Sequence, residues 1–126
     1  MSLRASKGAG MVQLTSWEKI ETERLSGTIT RQMLSGTHTT VARICLTRGA
    51  IVPRHMHESE QFSWILSGAL KFVFDDREQV VRAGEILFIP SNVPHAAEAL
   101  EDTVDFDVFA PRRDDWIRKD DAYLRR

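Results

Sequence analysis

Two of the four histidines stand one residue apart, as His55-Met56-His57. In an extended strand, residues two apart project from the same face. Both imidazoles therefore point one way and Met56 points the other. Two ring nitrogens placed like this can reach a single ion at about 2 Å. A bare pair of this kind is also found as two polar residues on a strand, so its surroundings decide. Gly49 lies six residues before His55, Pro53 two before it, and Gln61 four after His57. Gly68 follows seven residues beyond Gln61. A second block opens at Gly84, with Pro90 six residues on and His95 five further.

These two blocks resemble the paired motifs of the cupins, G-x5-H-x-H-x3-E-x6-G and G-x5-P-x-G-x2-H-x3-N. The fit runs from about residue 49 to residue 99. The resemblance implies an all-β, single-domain cupin: a conical antiparallel β-barrel of jelly-roll type with one metal ion inside. It implies His55, His57, Gln61 and His95 as metal ligands. Three imidazoles and an oxygen donor suit a divalent transition metal, Ni, Zn, Fe, Mn or Cu, with positions left for water or substrate. His38 matches no motif position and reads as a surface histidine.

Three positions depart from the motif. Gln61 stands where glutamate is usual. Adjacent Glu60 would break the spacing to Gly68 and shift the parity on the pleat. Glutamine brings no negative charge, so the metal stays less neutralised and better suited to Lewis-acid work than to stabilising a ferric state. Asn92 replaces a glycine, and asparagine also accepts positive φ in turns. Ala99 replaces an asparagine whose usual role is structural.

Residues from Pro90 to Asp102, Asp107 to Trp116 and Asp120 to Leu124 resemble the KdgF type of pectin-degradation cupin. Its members open the ring of unsaturated uronate monosaccharides from pectin or alginate breakdown. That resemblance implies Asp107, Phe109 and Arg113 as active-site residues. The chemistry fits: a carboxylate such as Asp107 can shuttle a proton, Arg113 can hold a uronate carboxylate through a bidentate pair, and Phe109 can wall a pocket. Asp105 shares a strand face with Asp107 by parity, so either can point inward. The only tyrosine, Tyr123, falls in the tail, which argues against a tyrosine base within the barrel.

The elements that must position these groups are short. Period-two apolar segments cover Ser26–Met33, Thr40–Thr47, Gln61–Leu66, Leu70–Phe74, Gln79–Arg82, Ala97–Leu100 and Val104–Phe109, separated by glycine, proline and acidic turns. Ile86-Leu87-Phe88-Ile89 is a continuous apolar run, the pattern of a strand buried on both faces. The expected organisation is an arm or leading strand over 1–25, the barrel over 26–110, and a tail over 111–126 with a turn or two of helix from Asp114 to Lys119. Strand aromatics such as Phe62, Trp64, Phe72, Phe74 and Phe88 are expected in the core or in a homodimer interface.

Composition bounds the rest. The chain has 126 residues, 42% apolar and 28% charged, with net charge -1 and its charges well mixed. That excludes a nucleic-acid surface and fits a small-molecule substrate. No apolar run approaches a membrane span, and residues 1–10 lack the apolar centre of a signal peptide, so a cytoplasmic setting is expected. Cys45 is the only cysteine; no intrachain disulfide can form, and it reads as a small buried hydrophobe. Two other functions remain open at this level: a redox cupin dioxygenase, and a non-catalytic module that binds a sugar through its metal.

Overall fold

The computed structural model describes residues 10–125. Its strands are β1 (Glu23–Arg24), β2 (Ile29–Ser35), β3 (Thr40–Leu46), β4 (Ile51–His55), β5 (Glu60–Ser67), β6 (Ala69–Val73), β7 (Glu78–Arg82), β8 (Ile86–Ile89), β9 (His95–Ala99) and β10 (Thr103–Ala110). One short helix, α1 (Asp114–Ile117), and 3-10 turns at Trp17–Lys19 and Ala122–Leu124 complete the chain. The strands form two antiparallel sheets, ordered β1-β2-β3-β10-β5-β8 and β4-β9-β6-β7. This is the jelly roll that the motif resemblance implies.

Alternation builds the core, as it must where one face of each strand turns inward. Ile29, Met33, Ala42, Leu46, Ile65, Leu70, Phe72, Ile89 and Phe109 meet between the sheets. Gly68 closes β5 with φ +85°, and a Cβ there would lie 2.3 Å from the Asp102 carbonyl oxygen, so only glycine fits. Asn92 takes φ 60°, the left-handed conformation the motif assigns to glycine.

Two expectations need correction. The run Ile86–Ile89 is not buried on both faces: Ile89 is fully buried, whereas Ile86 and Phe88 are exposed. β8 is an edge strand beside β5, so its apolar outer side joins Phe62, Trp64 and Leu66 on an open sheet face. Continuous apolarity marked a strand with an apolar outside, which sequence alone does not distinguish from double burial. Cys45 is likewise only half-buried, because its parity on β3 puts it opposite the inward Ile44 and Leu46. His38 lies exposed in the β2–β3 turn.

The inner faces of β5 and β10 invert the usual pattern at one end. Gln61, Ser63, Asp105 and Asp107 point inward and are buried, while their neighbours Phe62 and Trp64 face out. A buried polar cluster costs stability unless its members bond one another, which marks this end as the site.

Candidate metal centre

Sheet pairing assembles the histidines. His55 ends β4, His95 begins β9, and the two are direct cross-strand partners. His57 lies two residues beyond β4, on the same side as His55, while Met56 is exposed. One ring nitrogen from each of the three lies within 4.8 Å of the others. Gln61, on β5, is buried and turned toward them, whereas Glu60 is exposed.

Each imidazole is fixed by its own backbone. The Nδ1 of His55 bonds the Pro53 carbonyl at 2.8 Å, that of His57 the Ser59 carbonyl at 2.7 Å, and that of His95 the Val93 carbonyl at 2.8 Å. A carbonyl can only accept, so Nδ1 carries the proton in all three and Nε2 keeps its lone pair. Burial, against these backbone bonds, pushes His55 down to about 3 and His57 down to about 4, and lowers His95 as well. The rings are therefore neutral ligands across the physiological range.

The contact between His57 Nε2 and Gln61 Oε1, at 3.1 Å, tests the fit to a metal. With Nδ1 protonated, Nε2 has no hydrogen to donate, and an amide oxygen has none either. Two lone-pair donors face one another across a gap suited to a cation. Three imidazole nitrogens and one oxygen form a donor set for the ions named above.

Beneath this cluster Gln61 Nε2 donates to Ser63 Oγ at 2.7 Å, and Ser63 Oγ donates to Asp107 Oδ1 at 2.7 Å. Asp107 is in turn hydrogen-bonded to Asp105. Burial raises both carboxyls, and Asp105 goes well above the usual range because the neighbouring Asp107 charge adds to its desolvation. Two carboxyls this close in a buried wall titrate as a coupled pair. Parity left the two open; both point inward.

Arg113 is buried rather than solvated, with 2% of its surface exposed. Its Nε and Nη2 pair with Asp115 at 3.0 and 2.9 Å, and its guanidinium lies 4.7 Å from the centre of the Phe109 ring. The fork that sequence reasoning gave to a substrate carboxylate is thus held by Asp115. Phe109 is buried and sets its edge against His57, ring centres 5.6 Å apart.

Sequence reasoning missed the closing wall. Tyr123 stacks on His55 at 4.5 Å, and its hydroxyl oxygen accepts from Arg113 Nη2 at 2.9 Å and Trp116 Nε1 at 3.2 Å. Its place in the tail argued against a tyrosine base within the barrel; the structure brings the ring to the cavity as part of its wall. Trp116 lies between two guanidiniums, Arg31 at 4.4 Å and Arg113 at 4.1 Å from its ring centre. The buried Arg31 pairs with Asp121 at 2.8 Å and with Glu23 at 3.2 Å. Asp114-Asp115-Trp116 gave a helix signal, but nothing in the spacing indicated where that helix docks. The cavity has a volume of about 50 Å³ and is lined by His55, Gln61, His95, Asp105, Asp107, Phe109, Arg113, Trp116, Tyr123 and apolar core residues.

Comparison with known proteins agrees with this fold. The cupin domain model matches residues 42–110. Among solved structures, an RmlC-like cupin from Shewanella frigidimarina is 28% identical with a TM-score of 0.77, covering 84% of this chain and 96% of that one. KdgF from Halomonas sp. is 25% identical with a TM-score of 0.72, covering 79% and 94%. The polyketide cyclase RemF from Streptomyces resistomycificus is 26% identical with a TM-score of 0.67, covering 80% of each. No curated protein matches the sequence. Among the described residues no helix is long and apolar enough to cross a membrane.

Proposed function

Because the chain belongs to the cupin domain family, we propose that His55, His57, Gln61 and His95 hold one divalent transition metal ion and that the protein opens the ring of a 4,5-unsaturated uronate monosaccharide. The observation that carries the metal centre is the convergence of three Nδ1-anchored imidazoles on one another, with an amide oxygen beside His57 that cannot donate to it. The substrate class rests on the likeness to KdgF and on the acid pair in the cavity wall. Ni, Zn, Fe, Mn and Cu all suit this donor set.

The reaction is an isomerisation. A proton leaves the hemiacetal hydroxyl, the bond from that carbon to the ring oxygen breaks, and the resulting enolate takes a proton on carbon to give a linear keto acid. A bound metal lowers the pKa of a coordinated hydroxyl. Asp107 takes that proton and returns it to carbon. Asp105 keeps the second proton of the pair within the dry wall. Arg113, clamped by Asp115, supplies fixed positive charge toward the uronate carboxylate, while Phe109 and the tail exclude water.

No redox change is involved, which suits a neutral oxygen ligand. The outward apolar face of β5 and β8 is the surface we assign to a homodimer, and sedimentation of the purified chain tests it.

The deciding experiment follows loss of the conjugated ultraviolet absorbance of an unsaturated galacturonate monomer. Metal-loaded protein should outpace the blank, and chelator-stripped and Asp107→Ala proteins should not. Absence of acceleration by metal-loaded protein removes the ring-opening role. Oxygen uptake would then test the dioxygenase alternative, and binding without conversion would mark a sugar-binding module.

A further inference from the structure

A glutamine side chain can present either end to a metal, and only the oxygen end has a lone pair. What selects that end lies behind Gln61. Its Nε2 donates to Ser63 Oγ at 2.7 Å, and the single proton of Ser63 goes to Asp107 Oδ1 at 2.7 Å. A hydroxyl that has given its proton to a carboxylate can only accept from its other neighbour. Gln61 must therefore turn its NH2 to Ser63 and its oxygen to His57, as observed at 3.1 Å. Asp105 stands one step further back on the same face of β10, buried, with its Oδ1 unpartnered. Its cross-strand neighbours are Ile44 and Ile65.

We propose that Ser63 is a positioning residue: with Asp107 behind it, it forms a one-way hydrogen-bond chain that holds the Gln61 oxygen toward the metal. Direction is the essential property. With Gln61 donating to Ser63 and Ser63 to Asp107, every link points away from Gln61. Were Asp107 to donate to Ser63, Ser63 would donate to the Gln61 oxygen, and the amide would show the metal its NH2 group. The charged and titratable groups facing the pair are Arg113 and Tyr123 from the tail and His55 and His95 from the opposite sheet. Arg113 favours the charged, accepting form of Asp107. A glutamate at position 61 would need no such chain, since both its ends are oxygen. The inference thus accounts for a glutamine at this position, and it rests on the metal-centre reading above.

The test is Zn2+ affinity of the full chain, read by competition with a chromophoric chelator, with circular dichroism as the control for folding. Ser63→Ala should weaken Zn2+ binding about tenfold or more, in the range known for residues that orient a ligand. In the Gln61→Glu background the same Ser63→Ala change should cost less than about twofold, because orientation no longer matters. Unchanged affinity in Ser63→Ala, or an equal loss in the Gln61→Glu background, overturns the proposal. Equal Zn2+ binding by wild-type and His95→Ala proteins would instead remove the metal centre itself, and the inference with it.

Discussion

The cavity has two walls made in different ways. One carries His55, Gln61 and His95 on β4, β5 and β9, with His57 beside them on the loop after β4, each ring tied to a carbonyl two residues away. The other is the tail, fastened by contacts that span the chain, such as Arg31 with Asp121 at a separation of 90 residues. The first wall is fixed wherever its strands are paired. The second depends on a few buried charges and touches the ligands through Tyr123, stacked on His55.

The sharpest way to break this comparison is to damage one wall and measure the other. His95→Ala should weaken Zn2+ by about a hundredfold or more, beyond the effect of orienting residues, with the tail still docked by near-ultraviolet dichroism. Asp121→Ala works on the opposite wall. Arg31 has no exposed surface and keeps only Glu23 as an anionic partner, so urea unfolding should show a loss of about 3 kcal/mol. Zn2+ affinity should change little. If Asp121→Ala weakened Zn2+ as much as His95→Ala, the two walls would be a single unit.

Asp105 sharpens the comparison from beneath the ligands. Its carboxyl keeps a proton that the unfolded chain releases near 3.8, because burial and the neighbouring Asp107 raise it. Unfolding therefore releases a proton, and stability falls as pH rises above that value until the raised folded pKa is passed. Asp105→Asn should remove this slope, a gain of up to about 1.4 kcal/mol per pH unit across the window. Denaturant midpoints of both proteins from pH 4 to 8 measure it, and parallel pH curves would contradict it. The smallest effect should come from Tyr123→Phe, which takes an acceptor from Arg113 and Trp116. About 1 kcal/mol of tail docking should go, with the ring still stacked on His55 and Zn2+ affinity kept.

The two walls also differ in how far they were legible. His55 and His57 could be paired from a two-residue spacing because a strand has a fixed period, and Gly68 and Asn92 marked turns because few residues take their backbone angles. The choice of Gln61 over Glu60 followed from parity, and one is buried while the other is exposed. His95 came from the motif resemblance; its pairing opposite His55 depends on sheet order, which spacing does not encode. Tyr123, Trp116 and the Arg31–Asp121 pair gave no periodic signal, since a tail docks through contacts that no local rule relates. The Ile86–Ile89 run failed for a related reason: hydrophobicity reports that a face is apolar, not whether anything covers it.

Trp116 gives that tail a voice in the optical spectrum. Of the three tryptophans it alone is buried, at 3% exposure, and it alone lies between two guanidiniums. An indole held between fixed cations emits in an electric field set by their distances, and lifting the tail takes both that field and the apolar surroundings away. Trp116 lines the cavity, so entry of a sugar acid should be visible as a change in tryptophan emission, with no label attached to the chain.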